Sequence, residues 1–175
     1  MTHSHVSRSA SATGPAAETA PSADAHLTRA IALAITNARD GGGPFGALVV
    51  TADGRAFEGV NRVTAINDPT AHAEVTAIRA ACAALSTFDL SGAVLYASCE
   101  PCPMCLGAAL WARVDRIVFA ADRHDAAEAG FDDAAFYAYF EGTEHAEAMP
   151  VAQLQTSGAL APFEAWGANA ARTEY

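Results

Sequence analysis

Ala93-Val94-Leu95-Tyr96-Ala97-Ser98 runs straight into Cys99-Glu100-Pro101-Cys102-Pro103-Met104-Cys105. The first six residues read as a buried strand, and Pro103 stands where a helix begins, because proline is tolerated at the first helical position. A helix from Pro103 to about Arg113 puts the sulfurs of Cys102 and Cys105, three residues apart, on one face of its first turn. A helix N-terminus also lowers thiol pKa, which favours the thiolate that a metal requires. A second stretch, Thr70-Ala71-His72-Ala73-Glu74, follows Asp68-Pro69 at another helix start. Strand, ligand-bearing loop and helix in this order predict an α/β fold built around the loop.

The residue types in the two stretches point to zinc. Catalytic zinc takes three protein ligands and leaves the fourth position for water, and His72, Cys102 and Cys105 supply three. Two thiolates and an imidazole suit zinc better than magnesium or calcium, which prefer oxygen. Glu74 is then a carboxylate beside the metal that moves protons. On a continuous helix, residues two apart point roughly 200° away from each other, so His72 and Glu74 belong at the first turn, where the backbone changes direction. H-x-E followed by P-C-x-x-C is the signature of zinc-dependent nucleobase deaminases.

Other readings of the cysteines explain less. A structural zinc site with Cys99 as fourth ligand leaves Glu74 without a role, while Cys99 is accounted for as a buried strand residue. A C-x-x-C dithiol does not use His72-Ala73-Glu74. A disulfide framework belongs to shorter, more cysteine-dense chains than this one, with four cysteines in 175 residues.

Composition sets the outer limits. A length of 175 residues predicts one domain with a full core, consistent with 51% hydrophobic residues and a mean hydropathy of +0.13. No run approaches the roughly 20 apolar residues of a membrane span. Ten Lys plus Arg against 20 Asp plus Glu give a net charge of −10, the wrong sign for a phosphate backbone, so neither nucleic acid nor membrane is expected as a partner. Free cysteines grouped at a metal site fit a reducing compartment, and the expected location is cytoplasmic.

Taken in order, residues 1–24 are rich in Ser, Ala, Thr and Pro and read as a disordered extension, without the apolar core of a signal peptide. Residues 25–175 read as one domain. Leu27, Ala30, Ile31, Ala34 and Ile35 mark a helix ending before Asp40-Gly41-Gly42-Gly43. Leu48 to Thr51 and Ala56 to Val60 form a hairpin across Asp53-Gly54. The glycine-rich stretch lacks the Lys-Ser or Lys-Thr of a phosphate loop and is better used for close approach to the site. Phe45 offers either a face for a planar base or a core contact, and Asn61 either reads a base edge or turns the chain. A helix runs from His72 to about Leu85, and Arg116 to Ala121 form another strand. Trp111 reads as core or as a pocket border. Val151 to Gln155 are expected as a last short strand, and Pro162 opens a terminal helix.

Three blocks carry a resemblance beyond spacing: Asn67 to Arg79, Ser98 to Ala108, and Asp125-Ala126-Ala127-Glu128-Ala129-Gly130-Phe131-Asp132-Asp133. Together they resemble the bacterial guanine deaminases of the cytidine deaminase superfamily, over about Ala25 to Tyr175. The first two blocks are superfamily-wide and shared with tRNA adenosine deaminases, while the third and the Glu174-Tyr175 ending point to the guanine group. The resemblance implies a three-layer α/β/α cytidine-deaminase-like fold with a five-stranded mixed sheet, and a homodimer whose C-terminal segment crosses to its partner. It implies one zinc per subunit on His72, Cys102 and Cys105, with Glu74 as proton shuttle. Phe45 would stack on the purine and Asn61 would hydrogen-bond it. Asp133, in preference to Asp132, would contact the base and assist proton transfer, and Tyr175 would reach the neighbouring pocket. The implied reaction is hydrolysis of guanine to xanthine and ammonia. Guanosine, ammeline or a cytosine-like ring is the alternative substrate, and a zinc-stabilised binding protein is the alternative outside enzymes.

Overall fold

Ser22 opens the first helix: its hydroxyl accepts the Ala25 N–H at 3.3 Å, satisfying one of the unpaired donors at the start of α1 (Ala23–Arg39). A computed structural model describes residues 22–142 and 149–174. Nearly all of the extension expected to be disordered therefore lies outside the described residues, as does Tyr175.

Strands β1 (Gly46–Val50) and β2 (Ala56–Val60) pair antiparallel across the expected turn. There Gly54 donates to the Thr51 carbonyl at 2.9 Å with φ +84°, a conformation glycine adopts without steric cost. A short helix α2 (Val63–Ile66) leads to α3 (Ala73–Leu85). Strand β3 (Val94–Cys99) pairs antiparallel with β1, and α4 (Pro103–Trp111) then carries the chain over to β4 (Arg116–Ala121), parallel to β3. Three helices follow: α5 (Arg123–Glu128), α6 (Asp133–Glu141) and α7 (Ala161–Ala168).

The sheet order is β2-β1-β3-β4, mixed in direction, with helices on both faces. Ala47, Val49 and Leu95 are fully buried against Ala73, Ala77 and Ala81 of α3 and Ala109 and Ala112 of α4. Alternate strand positions point the other way, and there Tyr96 meets His26 of α1 with ring centroids 4.8 Å apart. Small residues set these separations. A methyl group on Gly59 would overlap the Ala73 carbonyl, and one on Gly46 the Ala30 carbonyl. Both helices therefore lie closer to the sheet than any other residue at those positions would allow.

Among the described residues the sheet has four strands, one fewer than the resemblance implies. Val151 to Gln155 form no strand, and no described residue covers them: every residue from 149 to 174 is exposed. On its far side β4 pairs with no described strand. No described helix is long and apolar enough to cross a membrane.

Candidate functional site

The two motif stretches meet at the N-termini of α3 and α4. Asp68 accepts both the Thr70 N–H (2.8 Å) and the Thr70 hydroxyl (2.7 Å), and Arg79 reaches Asp68 at 3.4 Å. Asp68-Pro69-Thr70 is thus the turn before the helix, and the cap position itself belongs to His72, with extended backbone at φ −67°, ψ 159°. Glu74 is the second helical residue. The switch from extended to helical backbone lets two residues at i and i+2 share one pocket, as the first-turn reading requires. Cys102 repeats the arrangement, capping α4 at φ −64°, ψ 167° with Pro103 next and Cys105 at the third helical position.

Cys102 and Cys105 lie with their sulfurs 3.6 Å apart, and the Nδ1 of His72 is 3.6 Å from each. A tetrahedral zinc with bonds of about 2.3 Å to sulfur and 2.0–2.1 Å to nitrogen spaces two sulfurs about 3.8 Å apart, and a sulfur and a nitrogen about 3.6 Å apart. The donors fit that triangle. Among the described residues, this is the one group of three or more His, Cys, Asp or Glu side chains arranged to hold a metal. Cys99 is no fourth ligand, since its sulfur points to the Asp122 carbonyl at 3.6 Å and burial pushes its thiol up to about 11.

The donors are partly prepared for a cation. The Cys102 thiol is pulled down to about 4 by hydrogen bonds from Cys105 and His72, against the cost of burial. Cys105 keeps the shared proton, so its own pKa is raised, and burial adds to this. The bond to Cys102 raises the pKa of His72. Glu74 is 7% exposed, and its carboxyl is pushed up chiefly by that burial.

Around the triangle lies a cavity of about 280 Å³ whose walls include Gly43, Phe45, Asn61, Glu74, Phe131 and Asp133. It opens beyond the C-terminal ends of the parallel pair β3 and β4, where α/β folds gather their sites. Phe45 stands edge-on to Phe131, with centroids 4.8 Å apart and planes at 77°, and it also packs against the core. Phe45 thus lines the cavity with one part of its ring and packs against the core with another. Asn61 accepts the Val63 N–H on its Oδ1 at 3.2 Å, which leaves the Nδ2 donor for a ligand. Asp133 is half-buried, its carboxyl raised by burial and then by the charge of Cys102, while Asp132 is exposed at the rim.

Trp111 is not brought to this cavity. It lies six residues beyond Cys105, about 9 Å along α4, is 65% exposed, and lines a separate groove with Phe163 and Trp166.

Some residues of the site carried no signal in the sequence. Asn37 of α1 donates its Nδ2 to the Gly43 carbonyl (2.8 Å) and the Asn61 carbonyl (2.9 Å), tying two walls of the cavity together. Phe136 lines the cavity from α6. Only the position of Gly43 in the glycine-rich loop hinted at this side of the site.

Comparison with known proteins agrees with this geometry. The family model for the cytidine and deoxycytidylate deaminase zinc-binding region matches residues 21–121. The guanine deaminase of Bacillus subtilis is 49% identical over 150 residues, 85% of this chain and 96% of that one. Its X-ray structure matches with a TM-score of 0.81, covering 87% of this chain and 98% of that one. A crystal structure of NE0047 in complex with 2,6-diaminopurine matches with a TM-score of 0.61 at 37% identity, covering 64% of this chain and 63% of that one. The tRNA-specific adenosine deaminase of Agrobacterium fabrum is 43% identical over 102 residues, 55% of this chain and 66% of its own length.

Proposed function

The chain belongs to the cytidine and deoxycytidylate deaminase family, and on that premise we propose that it hydrolyses guanine at the carbon bearing the exocyclic amine, consuming one water and giving xanthine and ammonia. One observation carries the choice of ring. The likeness to the Bacillus subtilis guanine deaminase extends over 85% of the chain, well past the zinc-binding region that ends at residue 121, whereas the match to the tRNA adenosine deaminase covers 55%. The net charge of −10 also disfavours a tRNA substrate.

Zinc held by His72, Cys102 and Cys105 supplies Lewis acidity, which brings the pKa of water near ~7. Glu74, walled in beside the three donors, takes up a proton and later passes it to the leaving amine. A carboxyl raised by burial suits that two-way traffic better than an ordinary one. Asn61 offers its Nδ2 to an acceptor on the ring. Phe45 gives the ring an apolar face, and Asp133 accepts from its N–H groups and assists the transfer, with Asp132 at the entrance. A cavity of about 280 Å³, at the small end of the roughly 300–1,000 Å³ common for ligand sites, suits one free base.

The working unit in this reading is a homodimer that exchanges C-terminal segments. Val151 and Leu154 are 81% and 88% exposed, so no described residue covers this part of the tail, and β4 has no described strand on its far side. A tail laid along β4 of a second copy would supply the fifth strand and bring Tyr175 to that copy's pocket. The four free cysteines suit a reducing compartment, and we place the protein in the cytoplasm. Residues 25–175 are the single deaminase domain in this scheme, behind an N-terminal extension of residues 1–24.

The test is ammonia release by zinc-loaded protein from guanine, guanosine, adenine, cytosine, cytidine and ammeline. Guanine should be turned over fastest, and Glu74→Ala should lower kcat at least ~100-fold, the low end of what a positioned acid–base group contributes. Full activity of Glu74→Ala would overturn the mechanism, and preference for another ring would overturn the substrate.

A further inference from the structure

Glu100, Arg123 and Tyr137 come from three different elements and meet in one stack. Glu100 belongs to the metal loop, between β3 and α4; Arg123 opens α5; Tyr137 lies in the second turn of α6. The Arg123 guanidinium holds the Glu100 carboxylate with two bonds, Nη2 to Oε1 at 2.6 Å and Nε to Oε2 at 3.0 Å, and the Arg123 backbone N–H adds a third at 2.9 Å. The same guanidinium lies over the Tyr137 ring, its carbon 3.3 Å from the ring centroid. The Tyr137 hydroxyl then donates to the Pro101 carbonyl at 2.7 Å. Pro101 directly precedes the ligand Cys102 and is fully buried.

None of the residues of α6 is buried; the helix lies against α4 and α5, and its Tyr139 hydroxyl donates to the Met149 carbonyl at 2.8 Å. Yet it supplies Asp133 and Phe136 to the cavity wall. Asp133 and Tyr137 are four residues apart and therefore project from the same face of the helix. A bond made by Tyr137 to the loop that carries Cys102 sets the distance between Asp133 and the metal donors.

We propose that Arg123 and Tyr137 are positioning residues, a clasp that docks α6 onto the metal loop and so holds Asp133 in the pocket. The part played by Asp133 rests on the deaminase reading above, while the docking of α6 does not. A planar guanidinium can pair bidentately and stack at the same time, which an ammonium cannot, so the clasp distinguishes Arg123 from Lys.

The experiment compares zinc-loaded wild type with Tyr137→Phe, Arg123→Lys and Arg123→Met, and reads two signals. The first is backbone hydrogen exchange. Residues 134–141 should exchange about tenfold faster in Tyr137→Phe, the upper range for one lost hydrogen bond, and faster still in Arg123→Met, while α3, α4 and zinc content stay unchanged. The second is kcat/KM for guanine, which should fall about tenfold in Tyr137→Phe but less than twofold when the same change is made in an Asp133→Asn background. Unchanged exchange in α6 for both Tyr137→Phe and Arg123→Met would overturn the clasp. An undiminished penalty in the Asp133→Asn background would overturn its action through Asp133. If wild type releases no ammonia from guanine, the deaminase reading falls, and the exchange measurement still decides the clasp.

Discussion

Cys102 and Cys105 are unequal before any metal arrives, and that inequality fixes how loading depends on pH. Of the two coupled thiols, Cys102 is lowered and gives up its proton first, whereas Cys105 is raised and keeps its proton. Zinc takes both as thiolates, so binding expels the Cys105 proton, and affinity rises with pH. The expected slope between pH ~6 and ~8 is about tenfold per unit, steeper at the acid end where the raised His72 must also lose a proton. Competition against a chromophoric chelator across that range measures it, and a flat profile would contradict the assignment. The ligands and Glu74 were legible in the sequence because each motif is local, a few residues whose spacing encodes its own geometry. Asn37 and Tyr137 were not. Asn37 reaches Asn61 across 24 residues and Tyr137 reaches Pro101 across 36, so nothing in their own neighbourhoods announces the partner.

Elements were readable where periodicity was strong. The long α1, the hairpin and the β3–loop–α4 unit appear within a few residues of their expected limits. Helices α2, α5 and α6 had no such signal, being short or without a buried stripe. Residues 122–147 are acidic with interspersed aromatics, a composition usual for a solvated face, and it took tertiary contact to make one face of α6 a pocket wall. The position most sensitive at this scale is Gly59, where β2 passes beneath the first turns of α3. Gly59→Ala forces a methyl group against the Ala73 backbone and shifts the helix that presents His72 and Glu74. The expected cost is about 1–3 kcal/mol, seen as a fall of several degrees in Tm, with zinc affinity reduced in parallel. A variant as stable as the parent would mean that α3 moves freely over the sheet.

For the whole molecule the open questions sit in the tail and the β4 edge. An acidic chain with net charge −10 resists nonspecific association, so a dimer held by exchanged tails should show as a discrete species in sedimentation, not as a distribution of larger ones. Deleting residues 170–175 should lower kcat/KM for guanine at least ~10-fold while zinc content stays stoichiometric, since the described residues 170–174 are all exposed and none lines the cavity at the ligands. Equal activity of the truncated protein would remove the tail from the site. The sequence anticipated a fifth strand at Val151 to Gln155, but a strand needs a neighbour as well as a pattern, and among the described residues it has none. The absence of any buried residue on α6 has a consequence for descent and for engineering. Core positions tolerate few substitutions because each must fill a fixed volume, whereas a wall helix that displaces no core can be rewritten at little cost to folding. Rings of different shape can therefore be accommodated by changing wall residues such as Phe136, with Asp133, the Tyr137 clasp and the metal-bearing frame inherited intact.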